Sequence, residues 1–238
     1  MKIALIGYGK MGKEIEKISL SRGHTIILKI DAHNLEDLNR SNLAQCDVAI
    51  EFTNPESAPE NIKICLEAGC PVVCGTTGWL KRLEEMKNMC IRNDGAFLYA
   101  SNFSIGVNIF FEVNKNLARM MAKNPEYDIS IEEIHHTQKK DSPSGTAITL
   151  AEQVLKESKV KDQWVNKHPE IISDLGILSL RIDPAPGTHT VNYTSSIDDI
   201  KITHTAHNRK GFAQGAVLAA EFIIGKKGIF EMKDVLGL

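Results

Sequence analysis

A glycine-rich turn near the start of the chain constrains the fold more than any other feature of the sequence. The residues Gly7-Tyr8-Gly9-Lys10-Met11-Gly12 form a G-x-G-x-x-G pattern directly after the apolar run Lys2–Ile6. Ile15 and Ile18 continue from Met11 at helical spacing, so the pattern joins a strand to a helix. There the first glycine allows a tight turn, the second lets the backbone approach a pyrophosphate, and the third lets helix and strand pack closely. The loop predicts a dinucleotide site, and a loop that serves packing alone is the alternative.

An acidic residue ends the second predicted strand. Thr25–Ile30 is rich in β-formers and is followed by Asp31. Dinucleotide-binding folds carry an acid here, where it bonds the adenosine ribose hydroxyls and disfavours a 2′-phosphate. We therefore expect NADH to be preferred and NADPH tolerated, because Lys10 and Lys13 are the nearest candidate cations and neither has the planar fork of arginine. A turn-forming role is the alternative for Asp31.

Strand and helix patterns alternate through the first hundred residues. The predicted strands are Lys2–Ile6, Thr25–Ile30, Asp47–Phe52, Val72–Gly75 and Phe97–Ala100. After the first helix, further helices are predicted over Pro55–Ala68 and Leu80–Arg92. Each crossover helix must cover a face of the sheet, so this order predicts a Rossmann-type, doubly wound parallel α/β sheet.

Two loops of small and polar residues follow the fourth and fifth predicted strands. They are Gly75-Thr76-Thr77-Gly78 and Ala100-Ser101-Asn102-Phe103. Ligands of open α/β sheets bind outside the carboxyl ends of the strands. We expect both loops to contact a nicotinamide, with Thr and Asn side chains bonding its carboxamide; ordinary βα loops are the alternative.

The pattern changes in the second half of the chain. A long helix is predicted over Gly106–Lys123 and another opens near Ser144-Gly145-Thr146. The predicted strands are Tyr127–His136, which alternates as an antiparallel strand does, and Gly176–Ile182, His189–Ser195 and Asp199–His207. This predicts a second, smaller α+β domain for substrate binding and oligomerisation over residues 105–211, after a dinucleotide-binding domain over 1–104. A final helix begins near Phe212, and the segment 212–238 could return to the first domain.

Composition and charge exclude several classes of function. Hydrophobic residues make up 42% of the 238, enough for a real core. With 28 basic against 30 acidic residues, the chain lacks the basic excess of a nucleic-acid-binding surface. The longest apolar runs are far shorter than the ~20 residues of a membrane helix. The five cysteines are odd in number and form no C-x-x-C pair, which fits neither a disulfide framework nor a zinc site. We expect a soluble protein with reduced thiols in the cytoplasm, with no nucleic-acid or membrane partner.

The richest stretch of side-chain chemistry lies between residues 133 and 147. His135 and His136 end a strand, Lys139 follows, and Ser144-Gly145-Thr146 leads into a helix. Ser144 or a neighbour is expected to cap that helix, which turns its first amides into an anion site. Imidazole, ammonium and amides with few carboxylates among them suit a small dicarboxylate that is protonated at carbon. No metal is expected, because no cysteine or carboxylate lies at metal-ligand spacing from the histidine pair.

This stretch resembles the signature of the 4-hydroxy-tetrahydrodipicolinate (dihydrodipicolinate) reductases of lysine and diaminopimelate biosynthesis. The resemblance covers essentially the whole chain. Its other motifs are the glycine loop, Glu51-Phe52-Thr53-Asn54-Pro55, Gly75–Gly78, Ala100–Asn108, Gly176-Ile177 with Ser179 and Arg181, and His204, Ala206, Arg209, Phe212-Ala213 and Gly215-Ala216.

The resemblance implies roles for individual residues. His135 matches the family's proton donor or acceptor and Lys139 its proton donor, while His136, Gly145 and Thr146 match the residues that hold the substrate carboxylates. The implied cofactor positions are Gly7–Gly12, Asp31, Gly75–Thr77 and Ala100–Phe103. The resemblance further implies that hydride passes from nicotinamide C4 to a ring carbon of a cyclic unsaturated imine dicarboxylate, in a homotetramer joined through the second domains.

One segment departs from the family pattern. Where members commonly have Arg-Gly-Gly and then Gly-Glu-His, this chain has Arg181-Ile182-Asp183-Pro184-Ala185-Pro186-Gly187-Thr188-His189. We expect the departure to change the local loop and any contact that it makes between subunits, without affecting the catalytic segment. Two rival functions stay open at this point: another two-domain dehydrogenase of amino-acid metabolism, and a nucleotide-binding redox sensor without turnover.

Overall fold

The computed structural model describes residues 1–208 and 210–238. Arg209, one of the residues that carry the family resemblance, lies outside the described residues. The chain forms two compact units: the first comprises Met1–Ile105 and Lys210–Leu238, and the second lies between Gly106 and Asn208. The last long helix therefore belongs to the first unit.

Eleven strands and eight α-helices are present in the described part of the chain. The strands are β1 (Lys2–Ile6), β2 (Thr25–Ile30), β3 (Val48–Glu51), β4 (Val72–Cys74), β5 (Ala96–Tyr99), β6 (Asp128–His135), β7 (Gln163–Val165), β8 (Asp174–Arg181), β9 (Gly187–Thr194), β10 (Asp199–Ala206) and β11 (Gly228–Phe230). The helices are α1 (Lys10–Ser21), α2 (Arg40–Leu43), α3 (Ala58–Glu67), α4 (Leu83–Arg92), α5 (Ile105–Met121), α6 (Gly145–Glu157), α7 (Lys210–Ile223) and α8 (Met232–Leu236).

The first unit contains a six-stranded sheet in the order β11-β5-β4-β3-β1-β2, and all its pairs are parallel. β1 pairs with β2 on one side and β3 on the other, so the strand order reverses at β1. Such a switch point opens a crevice at the carboxyl ends of the strands, where the glycine loop follows β1. The predicted Rossmann-type α/β sheet is confirmed.

Helices cover both faces of this sheet because its strands carry apolar residues on each side. One buried cluster includes Ala4 and Ile6 of β1 with residues of α3 and α4. The other includes Ile3 and Leu5 with the small side chains of α7. Those small residues let α7 approach closely: a Cβ added at Gly215 would lie 1.8 Å from the backbone oxygen of Phe103.

The second unit contains a mixed five-stranded sheet in the order β10-β9-β6-β8-β7. β6 is antiparallel to β9, as predicted, but parallel to β8. Alternation along a strand reports which face is buried and carries no information on the direction of each neighbour. The buried face packs against α5 and α6 around Ile129, Ile131 and Tyr193. The expected second α+β fold is confirmed.

Differences from the predicted elements are small and local. The third helix begins at Ala58 rather than Pro55, because the Asn54 side chain accepts hydrogen bonds from the Glu56 and Ser57 amides and holds a turn there. Four short elements, α2, β7, β11 and α8, were not predicted, because none of them is long enough to show a hydrophobic periodicity. Across the described residues, no helix combines the length and apolarity that crossing a membrane requires.

Candidate functional site

The glycine loop after β1 contains two glycines required by packing and one beside open space. Gly7 has a φ of +96°, and a Cβ there would lie 1.9 Å from the Phe52 oxygen. A Cβ on Gly12 would lie 2.3 Å from the Gly7 oxygen. Around Gly9, in contrast, the described residues place no atom within 4 Å of an added Cβ. The packing interpretation therefore accounts for Gly7 and Gly12, whereas Gly9 leaves room for a ligand.

The start of α1 suits a phosphate group. Gly9 is the N-cap, and among the described side chains none caps this end of the helix. Its first turn carries Lys10 and Lys13 and no acidic residue. Exposed amides, the positive end of the helix dipole and nearby lysines together fit the pyrophosphate of a dinucleotide.

Tyr8 and Asp31 lie in defined polar settings. The Tyr8 hydroxyl donates to Glu16, whose other carboxylate oxygen lies 2.6 Å from the Lys29 ammonium. Lys29 also lies 5.0 Å from the centre of the Tyr8 ring, so this cation two residues before Asp31 already has partners. Asp31 is exposed, and its carboxylate accepts a hydrogen bond from the His33 amide at 2.8 Å. The turn-forming role of Asp31 is therefore real, and its exposure also leaves it accessible to a ligand.

The loop after β4 rests on a buried polar network. The Thr76 hydroxyl accepts a hydrogen bond from the Thr53 amide at 2.7 Å. Beneath it, the fully buried Glu51 carboxylate accepts a hydrogen bond from the Cys74 thiol at 3.0 Å. A Cβ on Gly75 would lie 2.2 Å from the Phe52 ring, so glycine is required there. Thr76 is buried, and Thr77 is exposed at the surface of the loop.

The loop after β5 mixes exposed and core residues. Ser101 is exposed, Ala100 and Asn102 are half-buried, and Asn102 accepts a hydrogen bond from the Ser104 amide at 2.9 Å. The Phe103 side chain is buried and lies 5.5 Å from the Phe52 ring. Phe103 is therefore part of the core of the first unit, and its backbone is the part that a cofactor could reach.

In the second unit, a buried carboxylate lies among the predicted catalytic residues. Glu133 is fully buried and shares a face of β6 with His135, two residues on. Its oxygens lie 3.4 Å from His135 Nδ1, 3.6 Å from His189 Nε2 and 3.2 Å from the Arg181 guanidinium. They also accept the Ser144 amide at 3.1 Å and 3.2 Å. The expectation of few carboxylates is wrong, because Glu133 lies directly behind His135.

A second carboxylate pairs with Lys139. The Lys139 ammonium lies 2.8 Å and 2.7 Å from the two carboxylate oxygens of Asp141. The Asp141 backbone oxygen in turn accepts a hydrogen bond from Arg181 at 2.6 Å. Lys139 is thus tied to its own loop, and Arg181 connects that loop to Glu133. His136, which precedes this loop, is half-buried.

The start of α6 has the predicted capped geometry. Ser144 is the N-cap, and its hydroxyl accepts a hydrogen bond from the Ala147 amide at 3.2 Å. The same hydroxyl lies 3.1 Å from His189 Nε2. Gly145 is exposed, Thr146 is half-buried, and the described residues leave open space where a Cβ on Gly145 would lie. An anion can therefore approach the first amides of this helix.

Burial changes the protonation of the two central groups. Burial lowers the pKa of His135 to about 4, against the opposing charge of Glu133, and His189, Lys139 and Arg181 lower it further. Burial opposes ionisation of Glu133, but hydrogen bonds from His189 and Ser144 outweigh it and hold the Glu133 pKa well below its usual range. His135 is therefore a neutral imidazole at pH 7.

The segment that departs from the family pattern contacts the catalytic segment directly. The Asp183 carboxylate accepts hydrogen bonds from the Thr137 amide at 3.2 Å and hydroxyl at 2.5 Å. A Cβ on Gly187 would lie 3.1 Å from His135 Nε2. Residues 183 and 187 therefore form part of the surroundings of the catalytic segment. That the departure leaves the catalytic segment unaffected stays a prediction.

Three of these side chains offer donor atoms at metal-ligand separation. One atom each from Glu133, His135 and His189 lies within 4.8 Å of the others. Sequence spacing missed this group because 54 residues separate His135 from His189. However, the Glu133 carboxylate already forms a salt bridge with Arg181 and accepts a hydrogen bond from the Ser144 amide. The Arg181 guanidinium would therefore repel a metal cation bound there. The donor set fits a hydrogen-bonded charge cluster better than a metal centre.

The sequence predicted His135, His136, Lys139, Ser144, Gly145 and Thr146 as residues of this site, but not Glu133 or Asp141. Glu133 could have been found from the alternation of side chains along a strand, because this alternation places Glu133 and His135 on the same face of β6. No comparable signal pointed to Asp141, whose pairing with Lys139 depends on the loop conformation.

Comparison with known proteins places both halves of the chain in one family. Residues 1–103 match the family model described as dihydrodipicolinate reductase, N-terminus, and residues 106–236 match that described as dihydrodipicolinate reductase, C-terminus. A 4-hydroxy-tetrahydrodipicolinate reductase of Christiangramia forsetii is 52% identical over 99% of this chain and 98% of its own length. The corresponding protein of Neisseria meningitidis serogroup B is 35% identical over 94% of this chain and 84% of its own.

A solved structure shows the same fold. The dipicolinate-bound dihydrodipicolinate reductase of a Paenisporosarcina species superposes with a TM-score of 0.77, covering 97% of each chain at 22% sequence identity.

Proposed function

The chain belongs to the dihydrodipicolinate reductase family, and from this premise we propose how its residues divide the work of the NAD(P)H-dependent reduction of 4-hydroxy-tetrahydrodipicolinate to tetrahydrodipicolinate. That reaction is the activity of the family to which both halves of the chain match. The rival dehydrogenase and the sensor without turnover are set aside, because a relative that shares 52% of its residues over 99% of the chain is a named reductase.

The cofactor is a pyridine nucleotide, and when bound its reduced nicotinamide supplies the hydride. The proposed task of this chain's first unit is binding and orientation. The Gly7–Gly12 loop and the amides of α1 would hold the pyrophosphate, which is supported by the open space at Gly9. The nicotinamide end would be held by the loops at the carboxyl ends of β4 and β5, through Gly75, Thr76, Thr77, Ala100, Ser101 and Asn102 and the backbone of Phe103.

The substrate is a small cyclic dicarboxylate. We assign its carboxylates to His136, Gly145 and Thr146 at the start of α6. The support is the exposed glycine at the positive end of a 13-residue helix. The Paenisporosarcina relative was solved with dipicolinate, a dicarboxylate of this kind.

Proton delivery is assigned to Lys139. An ammonium beside the acceptor carbon can both offset developing negative charge and give up a proton. His135 is neutral at pH 7, so its proposed role is to hold or accept a proton next to Lys139 rather than to act as an imidazolium acid. The observation that carries this division of roles is the contrast in setting: His135 is buried beside the Glu133 carboxylate at 3.4 Å, whereas the Lys139 ammonium lies on a loop, paired with the exposed Asp141.

We propose a preference for NADH, with NADPH tolerated. An exposed acid at Asp31 would repel a 2′-phosphate. Lys29, the cation nearest to it along β2, is held by Glu16 at 2.6 Å and is therefore less available as a phosphate partner.

We further propose a homotetramer in the cytoplasm. The face of the second sheet opposite the α5 and α6 core carries half-exposed apolar and threonine side chains. Ile134, Leu178, Leu180, Thr188 and Thr190 are aligned there by strand register. Such a face suits association with copies of itself. All five cysteines are free thiols, which is typical of a reducing compartment.

The experiment that tests the proposal follows nicotinamide absorbance with freshly prepared 4-hydroxy-tetrahydrodipicolinate. We expect rapid substrate-dependent oxidation of NADH and slower oxidation of NADPH. Absence of turnover with both nucleotides would refute the assigned reaction, while turnover that prefers NADPH would refute only the role of Asp31. Sedimentation of the enzyme separately tests the tetramer.

A further inference from the structure

One fully buried carboxylate connects three parts of the proposed catalytic site in the second unit. Glu133 lies 3.4 Å from the His135 ring and accepts the Ser144 amide at the start of α6. It also lies 3.2 Å from Arg181, which donates to the Asp141 oxygen in the loop that carries Lys139. The proton-holding ring, the carboxylate-binding helix and the lysine loop thus share a single anchor.

We infer that Glu133 is a positioning residue for the reduction: it selects the tautomer of His135 and fixes the start of α6 and the Lys139 loop relative to that ring. This inference rests on the proposed roles of His135, Lys139 and Gly145. Glu133 is buried behind these groups, so it acts through them.

The charges around Glu133 require its ionised form. A buried carboxylate is costly unless it is paired and hydrogen-bonded, and Arg181 and Ser144 meet that requirement. Removing the charge would leave the Arg181 guanidinium, only 21% exposed, without its carboxylate partner. The loop held by Arg181 would then lose its fixed position, and Lys139 with it.

The same charge selects one tautomer of the neutral His135. His135 Nδ1 is buried and has no hydrogen-bond partner among the described residues, and the Glu133 carboxylate lies 3.4 Å from it. This negative charge favours the proton on Nδ1, which leaves the lone pair on Nε2. Glycine at position 187 keeps a side chain away from Nε2, since an added Cβ there would approach it to 3.1 Å. Nε2 is therefore the ring atom prepared to accept a proton. The other charged or titratable groups that act on this ring are His189, Lys139 and Arg181.

His189 supports the arrangement from the neighbouring strand. Its ring meets the His135 ring edge-on at 5.0 Å, and its Nε2 lies 3.1 Å from the Ser144 hydroxyl. His189 therefore limits the rotation of both the imidazole and the helix cap. His189 Nε2 also lies 3.6 Å from the Glu133 carboxylate, so this ring supports the charge of Glu133 but does not replace it at His135 Nδ1.

The test compares Glu133→Gln, which keeps the shape and removes the charge, with Glu133→Asp, which keeps the charge. Glu152→Gln on the exposed side of α6 is the matched control. We expect kcat of Glu133→Gln to fall about 10²-fold, as for loss of an oriented acid–base group. Its dissociation constant for NADH should stay within about twofold, because the glycine loop has an independent scaffold. Glu133→Asp should be intermediate and Glu152→Gln should match the wild type.

A second measurement reports on the ring without any turnover. Nitrogen-15 shifts of labelled histidine, assigned with His135→Gln, should show His135 protonated at Nδ1 in the wild type and shifted toward the Nε2-protonated form in Glu133→Gln. An unchanged tautomer in Glu133→Gln overturns the inference, even if kcat falls, because the role would then be structural alone. If Glu133→Gln fails to fold, Glu133→Asp decides, because its side chain is one methylene shorter and withdraws the charge from His135 Nδ1. A wild-type kcat together with an unshifted tautomer in Glu133→Asp then overturns the inference.

The two proposals can fail separately. If His135→Gln and Lys139→Ala keep full turnover, the proposed catalytic roles are wrong whatever Glu133 does. If those variants lose turnover while Glu133→Gln keeps both its rate and its tautomer, only the positioning role is wrong.

Discussion

The glycine loop of the first unit and the charge cluster of the second unit are built in opposite ways. The loop uses backbone atoms from six consecutive residues, Gly7–Gly12, and the decisive property at three of them is the absence of a side chain. The cluster is centred on side chains of Glu133, Arg181 and His189, which come from β6, β8 and β9. The Ser144 amide at the start of α6 completes it.

This difference determines which kind of substitution damages each region. A backbone-built site is damaged by adding atoms, and the damage appears as lost affinity or lost stability. A charge cluster is damaged by removing a partner, since the remaining buried charge is left uncompensated.

Lys139→Ala should lower kcat by about 10²–10⁴-fold, because a proton donor is removed. The dissociation constant for NADH should stay near the wild-type value, since Lys139 contacts only its own loop through Asp141 in the described structure. Steady-state kinetics and a nucleotide titration measure the two quantities. Equal losses in both would show that Lys139 has another role, and Lys159→Ala at a distant surface position is the control.

Gly12→Val and Gly9→Ala should affect different properties of the glycine loop: the first should lower stability, and the second should lower affinity for NADH. The new Cβ of Gly12→Val would meet the Gly7 oxygen at 2.3 Å, so unfolding free energy should fall by about 3 kcal/mol, the upper end for overpacking. Gly9→Ala meets no described atom within 4 Å and should change stability by less than about 1 kcal/mol. Its affinity for NADH should nevertheless fall about tenfold or more, because the methyl group enters the space left for the pyrophosphate.

Thermal unfolding and nucleotide titration on both glycine variants test this contrast. A stable Gly12→Val protein, or a Gly9→Ala protein that binds NADH normally, would contradict the division between packing and ligand glycines.

Stability should fall as the pH drops from about 6.5 toward 4. His135 stays neutral in the folded protein down to a pKa of about 4, whereas in the unfolded chain it takes up a proton near its ordinary pKa of 6.5. The unfolded state therefore binds more protons in this window, which corresponds to about 2–3 kcal/mol lost toward its acidic end. Denaturant unfolding against pH should give a flatter slope for His135→Gln. A slope remains in that variant because burial also lowers the pKa of His204.

Gly145→Val should raise the KM for the dicarboxylate about tenfold while leaving the fold intact. The space beside Gly145 is open within the described structure, so the side chain would obstruct the anion rather than the protein. Steady-state kinetics with varied substrate gives the value, with Gly145→Ala as the milder comparison. An unchanged KM would contradict the anion site at α6.

Asp31→Ser should produce the smallest change, a shift of a few-fold toward NADPH in the ratio of kcat/KM values. Serine removes the charge that opposes a 2′-phosphate and can still accept the His33 amide that Asp31 binds at 2.8 Å. Measurements at physiological salt matter, because exposed charges are screened. A wild-type preference for NADPH, or no shift in the variant, would contradict the role of Asp31.

The order of the longer strands and helices could be predicted from the sequence alone, because each of them shows a hydrophobic periodicity of its own. The bounds of β2 were predicted to the residue, and the glycine loop was placed between β1 and α1 as the structure has it. Short elements such as β7 and β11 were not predictable, since three residues show no alternation and their pairing depends on distant strands.

By itself, the sequence determined the Rossmann-type first unit, the dinucleotide loop, the histidine–lysine segment and the family, because these are properties of consecutive residues. Only the tertiary structure decided that β6 lies between an antiparallel and a parallel neighbour, that Asp183 and Gly187 border the catalytic segment, and that His135 is neutral at pH 7. Protonation depends on burial and on charges from β8 and β9 that lie some fifty residues away along the chain. Burial and these distant charges act on His135 through space in a low-dielectric interior, so no local pattern of residues reveals its protonation state.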